Sequence, residues 1–224
     1  MGLMEITWFG HSCFRLRDRS VAVVTDPYSK DIGLLLPRVR ADLVTVSHDA
    51  GDHNYTRGVK SGFRMLDGPG EYEISGVFVT GLELRGERKK TKESAHRARN
   101  TVFLFEFEDL TVCHLGDLDH APTQAQVEEA LGEVDVLLIP VGGSESLNAA
   151  QASEVVSLLE PRIVIPMHYK VKGLAPSVKL DPVSKFLKEM GLDSVPTQET
   201  LKITHSGLPE ETQVVLLELK AQEE

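Results

Sequence analysis

The first half of the chain consists of short apolar runs that are broken by Gly, Asp or Pro. Runs of this length, rich in Val, Ile, Thr and Phe, are typical of β-strands. The turn residues DRS (18–20) and ED (108–109) predict hairpins between neighbouring strands. The predicted strands are, in order, EITWFG, CFRLRD, VAVVTD, LVTVS, FRMLD, EYEISGVFVTGLEL and TVFLFEFED.

The second half of the chain alternates between strand and helix. Strands are predicted at TVCHLG (111–116), DVLLIPV (135–141), RIVIPM (162–167) and TQVVLLELK (212–220), and helices at 123–132, 148–160 and 181–191. Asn148 and Asp181 are the predicted N-caps of the last two helices, with Pro182 in the first turn of the third. A strand-rich half followed by β-α-β-α-β-α-β favours two sheets with helices outside them, an α/β (α+β) fold. No repeat or low-complexity linker divides the chain, so we expect one domain over residues 1–224.

Composition and charge narrow the class of protein. The net charge is −10, which argues against broad binding to nucleic acid or to a membrane surface. The sequence has no signal-peptide pattern and no apolar run of about 18 residues, so we expect a cytoplasmic protein. Cys13 and Cys113 each lie in an apolar run, which predicts buried thiols.

One segment, residues 85–100, is basic within this acidic chain. It contains seven Lys or Arg residues and almost no apolar ones, which predicts an exposed loop. It is either a solvated insertion, or a lid or loop that steers anions towards a pocket.

Polar residues cluster directly after three predicted strands. They are His48, Asp52 and His53 after LVTVS, Asp117 with His114 and His120 at TVCHLG, and His168 after RIVIPM. Ligands tend to bind at the carboxyl ends of strands in layered α/β folds, and imidazoles with carboxylates suit Zn, Mn or Fe. Each cluster alone is weak evidence, because a single His such as His168 or His114 is also compatible with a hydrogen-bonded structural role.

Other chemistry is poorly supported by motifs. The chain has no Gly-x-Ser-x-Gly elbow and no Walker or dinucleotide fingerprint. Gly142 and Gly143 in VGGSES precede a helix, so their amides could hold an anion of a substrate. The alternative is that these glycines form a tight connection between strand and helix.

SHDAGDH, HLGDLDH and IPMHY together resemble the metallo-β-lactamase superfamily. ITWFGHSCF, TDPY, GPGEYEISGVFVTG and VDVLLIPVGG are similar to its L-ascorbate-6-phosphate lactonase-like branch of Zn-dependent hydrolases. The resemblance covers about residues 5 to 170 and keeps the motif order. It implies a four-layer αββα sandwich with a metal site at one edge between the two sheets.

The resemblance also implies a ligand set, from which this chain departs. His48, Asp52 and His53 match three positions of the family motif His-x-His-x-Asp-His, but Ala50 stands at its second His. A further family His is missing near residues 85–86. Asp117 matches the bridging aspartate and His168 the last histidine. One of the two family metal sites therefore lacks ligands, whereas the other keeps Asp52, His53, Asp117 and His168 and implies one divalent Zn or Mn ion.

Several other residues are candidates for the pocket or for replacing the missing ligands. His96 lies in the basic segment, His114 and His120 flank Asp117, and His11 lies in the GHSC turn, where this branch tends to place a histidine. Asp49 is next to Ala50, but on an extended loop its side chain is expected to point elsewhere.

Two hypotheses follow. In the first, the protein is a metal-dependent hydrolase of a small anionic ester, lactone or phosphoester, in which Asp52 holds the metal and orients water and His48 polarises the substrate oxygen. In the second, the site has decayed, holds no metal, and the fold binds a ligand or partner without catalysis. The sequence leaves the substrate, the ion and the oligomeric state open, and a homo-oligomer is compatible with it.

Overall fold

A computed structural model describes residues 2–84 and 99–220, with the side chains of Glu129 and Ala130 left out of the description. Histidine 96 and most of the basic segment lie outside these residues. The strands are β1 (Met4–Gly10), β2 (Cys13–Arg17), β3 (Ala22–Thr25), β4 (Leu43–Thr45), β5 (Arg64–Leu66), β6 (Gly70–Ile74), β7 (Val77–Leu82), β8 (Val102–Glu106), β9 (Thr111–His114), β10 (Val136–Pro140), β11 (Ile163–Met167), β12 (Thr197–Gln198), β13 (Leu201–Ile203), β14 (Gln213–Val214) and β15 (Leu216–Leu217).

The strands form two mixed sheets and a short pair. The first sheet has the order β13-β1-β2-β3-β4-β5, and the second has the order β14-β11-β10-β9-β8-β7-β6. β3, β4 and β5 run parallel to one another, as do β9, β10 and β11. The two predicted hairpins are confirmed, because β2 pairs antiparallel with β3 and β8 with β9. The mixed sheets with few helices confirm the expected sandwich.

The central strands of the first sheet are largely buried on both faces. Successive side chains of a strand point in opposite directions, so they contribute to two different cores. Trp8 and Val23 belong to the inner core, the larger apolar cluster, which also contains Phe103 of the second sheet. Phe9 and Val24 belong to the outer core, a smaller cluster on the other face. The outer core is closed by residues of the segment between β3 and β5: Tyr28, Ile32, Leu34, Val39 and Val59.

Each side of the sandwich is covered differently. The second sheet packs against α2 (Ala149–Leu159) and α3 (Val183–Glu189), whose buried residues include Val155 and Phe186 of the inner core, whereas the short α1 (Gln124–Gln126) buries no residue. The outer core is covered by two short 3₁₀ turns, Lys30–Ile32 and Thr56–Gly58. Among the described residues, the model contains no helix with the length and apolar character required to cross a bilayer.

Two helix predictions need correction. The helix expected at 123–132 is α-helical over three residues and continues as a π-helical turn, Val127–Leu131. For α3 the N-cap is Pro182, whereas the Asp181 carboxylate accepts a hydrogen bond from Lys185 at 2.7 Å. Asn148 caps α2 as predicted, because its side chain accepts from the Gln151 amide.

The predicted closing strand at 212–220 is also divided. β14 pairs with β11 of the second sheet, while β15 pairs with β12 outside both large sheets. The sequence prediction also missed β13, which extends the first sheet beyond β1. Its residues, Leu201–Ile203, follow a polar stretch and are too few to show a strand period.

Candidate metal centre

The histidines and aspartates of the site all follow the carboxyl ends of strands. His11 follows β1, the loop of His48 to His53 follows β4, Asp117 lies three residues beyond β9, and His168 comes directly after β11. β1, β3 and β4 point the same way, as do β9, β10 and β11, so these ends meet at one edge of the sandwich. The main-chain amide of His168 donates to the carbonyl of His11 at 3.1 Å and ties the two edges together.

The loop after β4 is a compact turn around the carbonyl of Ala50. That oxygen accepts from the amides of His53 at 2.8 Å and Asn54 at 2.9 Å. The turn places Asp52 and His53 side by side, with His53 fully buried. The side chain of Ala50 is a methyl group, which offers no ligand atom to this turn.

Six side chains converge at this edge of the sandwich. His53 lies between two carboxylates, with Nδ1 3.1 Å from Asp52 Oδ1 and Nε2 3.3 Å from Asp117 Oδ1. His11 Nε2 is 3.2 Å from Asp52 Oδ2, and His168 Nε2 is 3.6 Å from Asp117 Oδ1. His48 Nε2 lies 3.9 Å from Asp117 Oδ2. The structure thus brings together all five residues that the motif comparison singled out, and it adds His11.

Asp26 and Ser47 fix the orientation of the His48 ring. The Ser47 hydroxyl donates to Asp26 Oδ2 at 2.6 Å and lies 2.9 Å from His48 Nδ1. Because the hydroxyl proton is used towards Asp26, the Ser47 oxygen accepts from the Nδ1–H of His48. The neutral ring therefore presents the lone pair of Nε2 towards Asp117.

Ser146 fixes the orientation of the His168 ring. Its hydroxyl donates to the carbonyl of Gly143 at 3.1 Å, and its oxygen lies 3.1 Å from His168 Nδ1. The proton of His168 is therefore on Nδ1, and the Nε2 lone pair faces the cluster. Rings held in this way are typical of metal-binding histidines, whose second nitrogen donates to a fixed acceptor.

Burial and charge set the protonation of the cluster. Burial lowers the pKa of His168 to about 3 and also lowers the pKa values of His11 and His48. Burial alone would also lower the pKa of His53, but Asp117 and Asp52 on either side outweigh it and hold this pKa well above its ordinary value.

The two carboxylates are held ionised despite their surroundings. Burial would raise the pKa of Asp117, yet the neighbouring histidines hold it well below its ordinary value. The same balance, with His11 and His53 as partners, lowers the pKa of Asp52. The cluster thus combines ionised carboxylates with mostly neutral imidazoles, which is the protonation that binds a divalent cation.

Backbone strain is concentrated at this edge. His11, Asp26 and His168 have φ values of 52°, 38° and 51°, in the left-handed region that non-glycine residues rarely adopt. Each lies one residue beyond a strand of the sandwich, where the chain must turn sharply to point a side chain inwards. Strain of this kind persists where surrounding contacts hold it, and it is often found at functional sites.

Asn100 and Gly116 shape the turn that carries Asp117. The Asn100 side chain accepts from the Asp117 amide at 2.8 Å and donates to the Leu115 carbonyl at 2.8 Å. Gly116 has φ of 57°, and a Cβ there would lie 2.4 Å from Asn100 Oδ1 and 2.6 Å from Ser47 Cβ. Only glycine fits between these two residues, so Gly116 lets the turn reach the first sheet.

Two other predicted histidines have different surroundings. His114 is fully buried, with Nε2 donating to the Ser12 carbonyl at 2.9 Å and Nδ1 accepting from the Gly116 amide at 3.2 Å. Both nitrogens are thus used by the main chain, which matches the structural interpretation of this residue. His120 Nδ1 pairs with Asp119 at 2.8 Å on the partly exposed side of the turn.

The glycines after β10 form a tight connection. The amide of Gly143 donates to the Leu147 carbonyl at 3.0 Å, and a Cβ on Gly142 would lie 2.0 Å from the carbonyl oxygen of His168. These contacts position Ser146 against His168. The role of the two glycines in substrate binding stays a prediction.

Sequence reasoning missed Asp26, Ser47, Ser146 and Asn100. These residues do not match a ligand motif, and they act by hydrogen bonds between segments far apart in the chain. The stretch TDPY, which contains Asp26, contributed to the family resemblance. That stretch could have identified Asp26 as a residue near the site.

The donor set fits a divalent metal ion. His11 Nδ1, His53 Nδ1 and Asp117 Oδ1 are buried without a hydrogen-bond partner among the described residues. Two groups have ligand atoms within 4.8 Å of one another: His11, His53 and His168, and His48, Asp52 and His53. Four contacts between histidine nitrogens and carboxylate oxygens measure 3.1 to 3.6 Å. Two ligands of one tetrahedral Zn ion, each about 2.0–2.1 Å from it, are about 3.3 Å apart.

Comparison with known proteins agrees with this fold. A family model described as the β-lactamase superfamily domain matches residues 5–168. A candidate Zn-dependent hydrolase of the metallo-β-lactamase superfamily from Thermotoga maritima is 42% identical, with a TM-score of 0.77 and coverage of 96% of this chain and 98% of that one. This chain therefore belongs to the metallo-β-lactamase superfamily.

Curated relatives carry similar descriptions. A UPF0173 metal-dependent hydrolase of Nitratidesulfovibrio vulgaris is 30% identical over 191 residues, 74% of this chain and 80% of its own length. Another, from Methanopyrus kandleri, is 27% identical over 221 residues, 85% of this chain and 94% of its own length.

Proposed function

We propose that the protein is a metal-dependent hydrolase that binds one divalent ion, Zn or Mn, and acts on a small anionic ester, lactone or phosphoester. The observation that carries the proposal is the buried cluster of His53, Asp117 and His168, joined by Asp52 at the edge between the sheets. The relatives named metal-dependent hydrolases support the same reaction class.

The residues retained from the family motif, Asp52, His53, Asp117 and His168, would hold the ion. When bound, such an ion supplies Lewis-acid chemistry and makes a water molecule more acidic. Asp52 is the more accessible carboxylate, with a side chain 38% exposed against 13% for Asp117. It is therefore placed to accept a hydrogen bond from water that enters the site and to orient it.

His48 is less deeply buried than the other histidines of the cluster. Its Nδ1 proton is held by Ser47, so a neutral His48 offers an acceptor at Nε2. It can take up a proton during hydrolysis, and only the protonated ring can polarise a substrate oxygen by donating to it.

A basic cavity lies a few residues along the chain from the loop of Asp52 and His53, although none of the six cluster side chains lines it. The loop of Asp52 and His53 continues into the Thr56–Gly58 turn, which lines a cavity of about 460 Å³. Arg38, Arg57 and Lys60 are among its lining residues, and no acidic residue of the described ranges 2–84 and 99–220 lines it. The proposal assigns this cavity to the anionic group of the substrate, and the net charge of −10 makes a small anion a better candidate than a polyanion.

Metal content tests the proposal first. Protein purified without chelator should contain about one Zn or Mn per chain, and His168→Ala should lose it because an imidazole ligand is removed. His205→Ala is the matched control, since His205 is exposed in a turn far along the chain from the site. Both variants and the wild type are then assayed on phosphoesters, lactones and neutral esters.

The outcomes separate the alternatives. About one ion, with hydrolysis that His168→Ala abolishes and His205→Ala keeps, supports the proposal. About two ions would overturn the single-ion assignment, and an absence of metal even after soaking would favour a non-catalytic binding protein, the alternative suggested by Ala50.

The anionic substrate class has its own test. Arg57→Ala should raise KM for a charged ester several-fold and leave KM for a neutral ester unchanged, because only the charged substrate gains from the guanidinium. Arg19→Ala, in the exposed turn between β2 and β3, controls for net charge. Equal effects of the two variants would contradict the assignment of the cavity.

A further inference from the structure

His11 is held in an unfavourable backbone conformation that directs its ring into the cluster. Its φ is 52° and the residue is only 2% exposed. Its carbonyl accepts from the amide of His168 at 3.1 Å and from the indole nitrogen of Trp8 at 3.0 Å. These bonds fix the turn after β1 from both sheets, so the position of the His11 ring is determined by the fold.

The ring of His11 lies among the site residues. Its centroid is 4.2 Å from that of His168 and 4.8 Å from that of His53. Its Nε2 lies 3.2 Å from Asp52 Oδ2, and one ligand atom each of His11, His53 and His168 falls within 4.8 Å of the others. Three imidazoles around one point are a frequent ligand set of catalytic Zn.

His114 is a buried histidine with a structural role, and its hydrogen bonds can be compared with those of His11. Both nitrogens of His114 hydrogen-bond to the main chain. His11 makes no such bonds among the described residues: Nε2 faces a carboxylate and Nδ1 has no hydrogen-bond partner. A purely structural role therefore leaves the buried Nδ1 of His11 unexplained.

The family motif does not include His11, and its own second histidine is replaced here by Ala50. We propose that His11 is a metal ligand of this protein and forms a three-imidazole set with His53 and His168, beside the carboxylates of Asp52 and Asp117. This inference rests on the proposed function, because it assigns a further ligand to the same ion.

Two substitutions distinguish a ligand from a residue that only positions Asp52. His11→Asn tolerates a positive φ and can still donate a hydrogen bond to a carboxylate, but it removes the imidazole. His11→Ala removes both. The full chain is loaded with Co²⁺, and the absorption spectrum and the affinity, measured by competition with a chelator, are compared with those of wild type and of His205→Asn.

A ligand role predicts that both His11 variants lose more than about 100-fold in Co²⁺ affinity and change the cobalt spectrum, while circular dichroism shows them folded. His205→Asn should match the wild type. If His11→Asn keeps the wild-type affinity and spectrum, His11 only positions Asp52 and the inference is overturned, whatever His11→Ala does. If the wild type itself binds no metal, the proposed function fails as well, so the two failures are distinguishable.

Discussion

Two serine hydroxyls decide how two imidazoles of the site present their lone pairs. Ser47 and Ser146 each use their proton on another acceptor, Asp26 Oδ2 and the Gly143 carbonyl, and so accept from a histidine Nδ1. The tautomers of His48 and His168 follow from these bonds without reference to an ion. Because both rings are already oriented, less free energy is spent on ordering them when a cation binds.

Ser146→Ala should weaken metal binding about 10- to 100-fold, because His168 loses the acceptor that fixes its ring. The folded state should lose only about 1 kcal/mol, the usual value of one hydrogen bond. Competition with a chromophoric chelator measures the affinity, and urea unfolding measures the stability. Ser157→Ala, on the exposed face of α2, is the control. Unchanged affinity in Ser146→Ala would show that the serine does not support a ligand.

Ala50→His tests the other half of the family site. The new imidazole would follow His48 by two residues, but the further histidine that the family places near residues 85–86 would still be missing. We expect the variant to keep about the same number of ions per chain as the wild type, since two imidazoles rarely hold an ion alone. Elemental analysis of both proteins decides this, and one additional ion per chain would contradict the expectation.

At the scale of elements, the site depends on where strands stop. β9 ends three residues before Asp117, and the turn between them passes within contact distance of Ser47 on the first sheet. The amide of Thr101 donates to the Ser47 carbonyl at 2.8 Å and joins the sheets at the same place. A side chain larger than a hydrogen at Gly116 would push these segments apart.

Gly116→Ala should therefore destabilise the protein by more than its backbone strain, which is of order 1–3 kcal/mol, and should weaken metal binding. Gly76→Ala is the matched control, because Gly76 also has a positive φ, 81°, but nothing lies within 4 Å of its Cβ position. Denaturant unfolding of both variants measures the difference. Equal losses of stability would mean that contact with Asn100 and Ser47 is unimportant.

For the whole molecule, the site joins the two sheets. His11, Asp52 and His53 come from loops of the first sheet, whereas Asp117 and His168 come from the second. An ion held by these residues would bind the folded state alone, so it would stabilise the sandwich through binding.

Removal of metal should lower the melting temperature. An ion present at about 1,000 times its Kd adds about 4 kcal/mol of stability. Chelator treatment should thus lower the Tm of the wild type and of His205→Ala, but leave that of His168→Ala unchanged. Differential scanning calorimetry with and without chelator measures this. An equal shift in all three proteins would point to an effect of the chelator that does not involve the site.

The sequence alone predicted much of this protein. Apolar runs located nearly all strands of both large sheets, and the pattern of caps located α2, because local residues decide these features. The motif residues His48, Asp52, His53, Asp117 and His168 were all singled out, since each follows a recognisable apolar strand. The order of strands and helices favoured two sheets with helices outside them, and the resemblance to the family implied the αββα sandwich.

Other features were decided only by tertiary structure. The short strands β12 and β13 were not predicted, because they depend on partners that neighbouring strands supply. The predicted strand at 212–220 is divided into β14 and β15 because its two parts pair with different strands. The position of His11 within the cluster, and of Ser146 against His168, depends on bonds between segments more than 20 residues apart. A sequence displays which residue types are present, but the fold determines which of them share one buried space, and that shared space is what makes a metal centre.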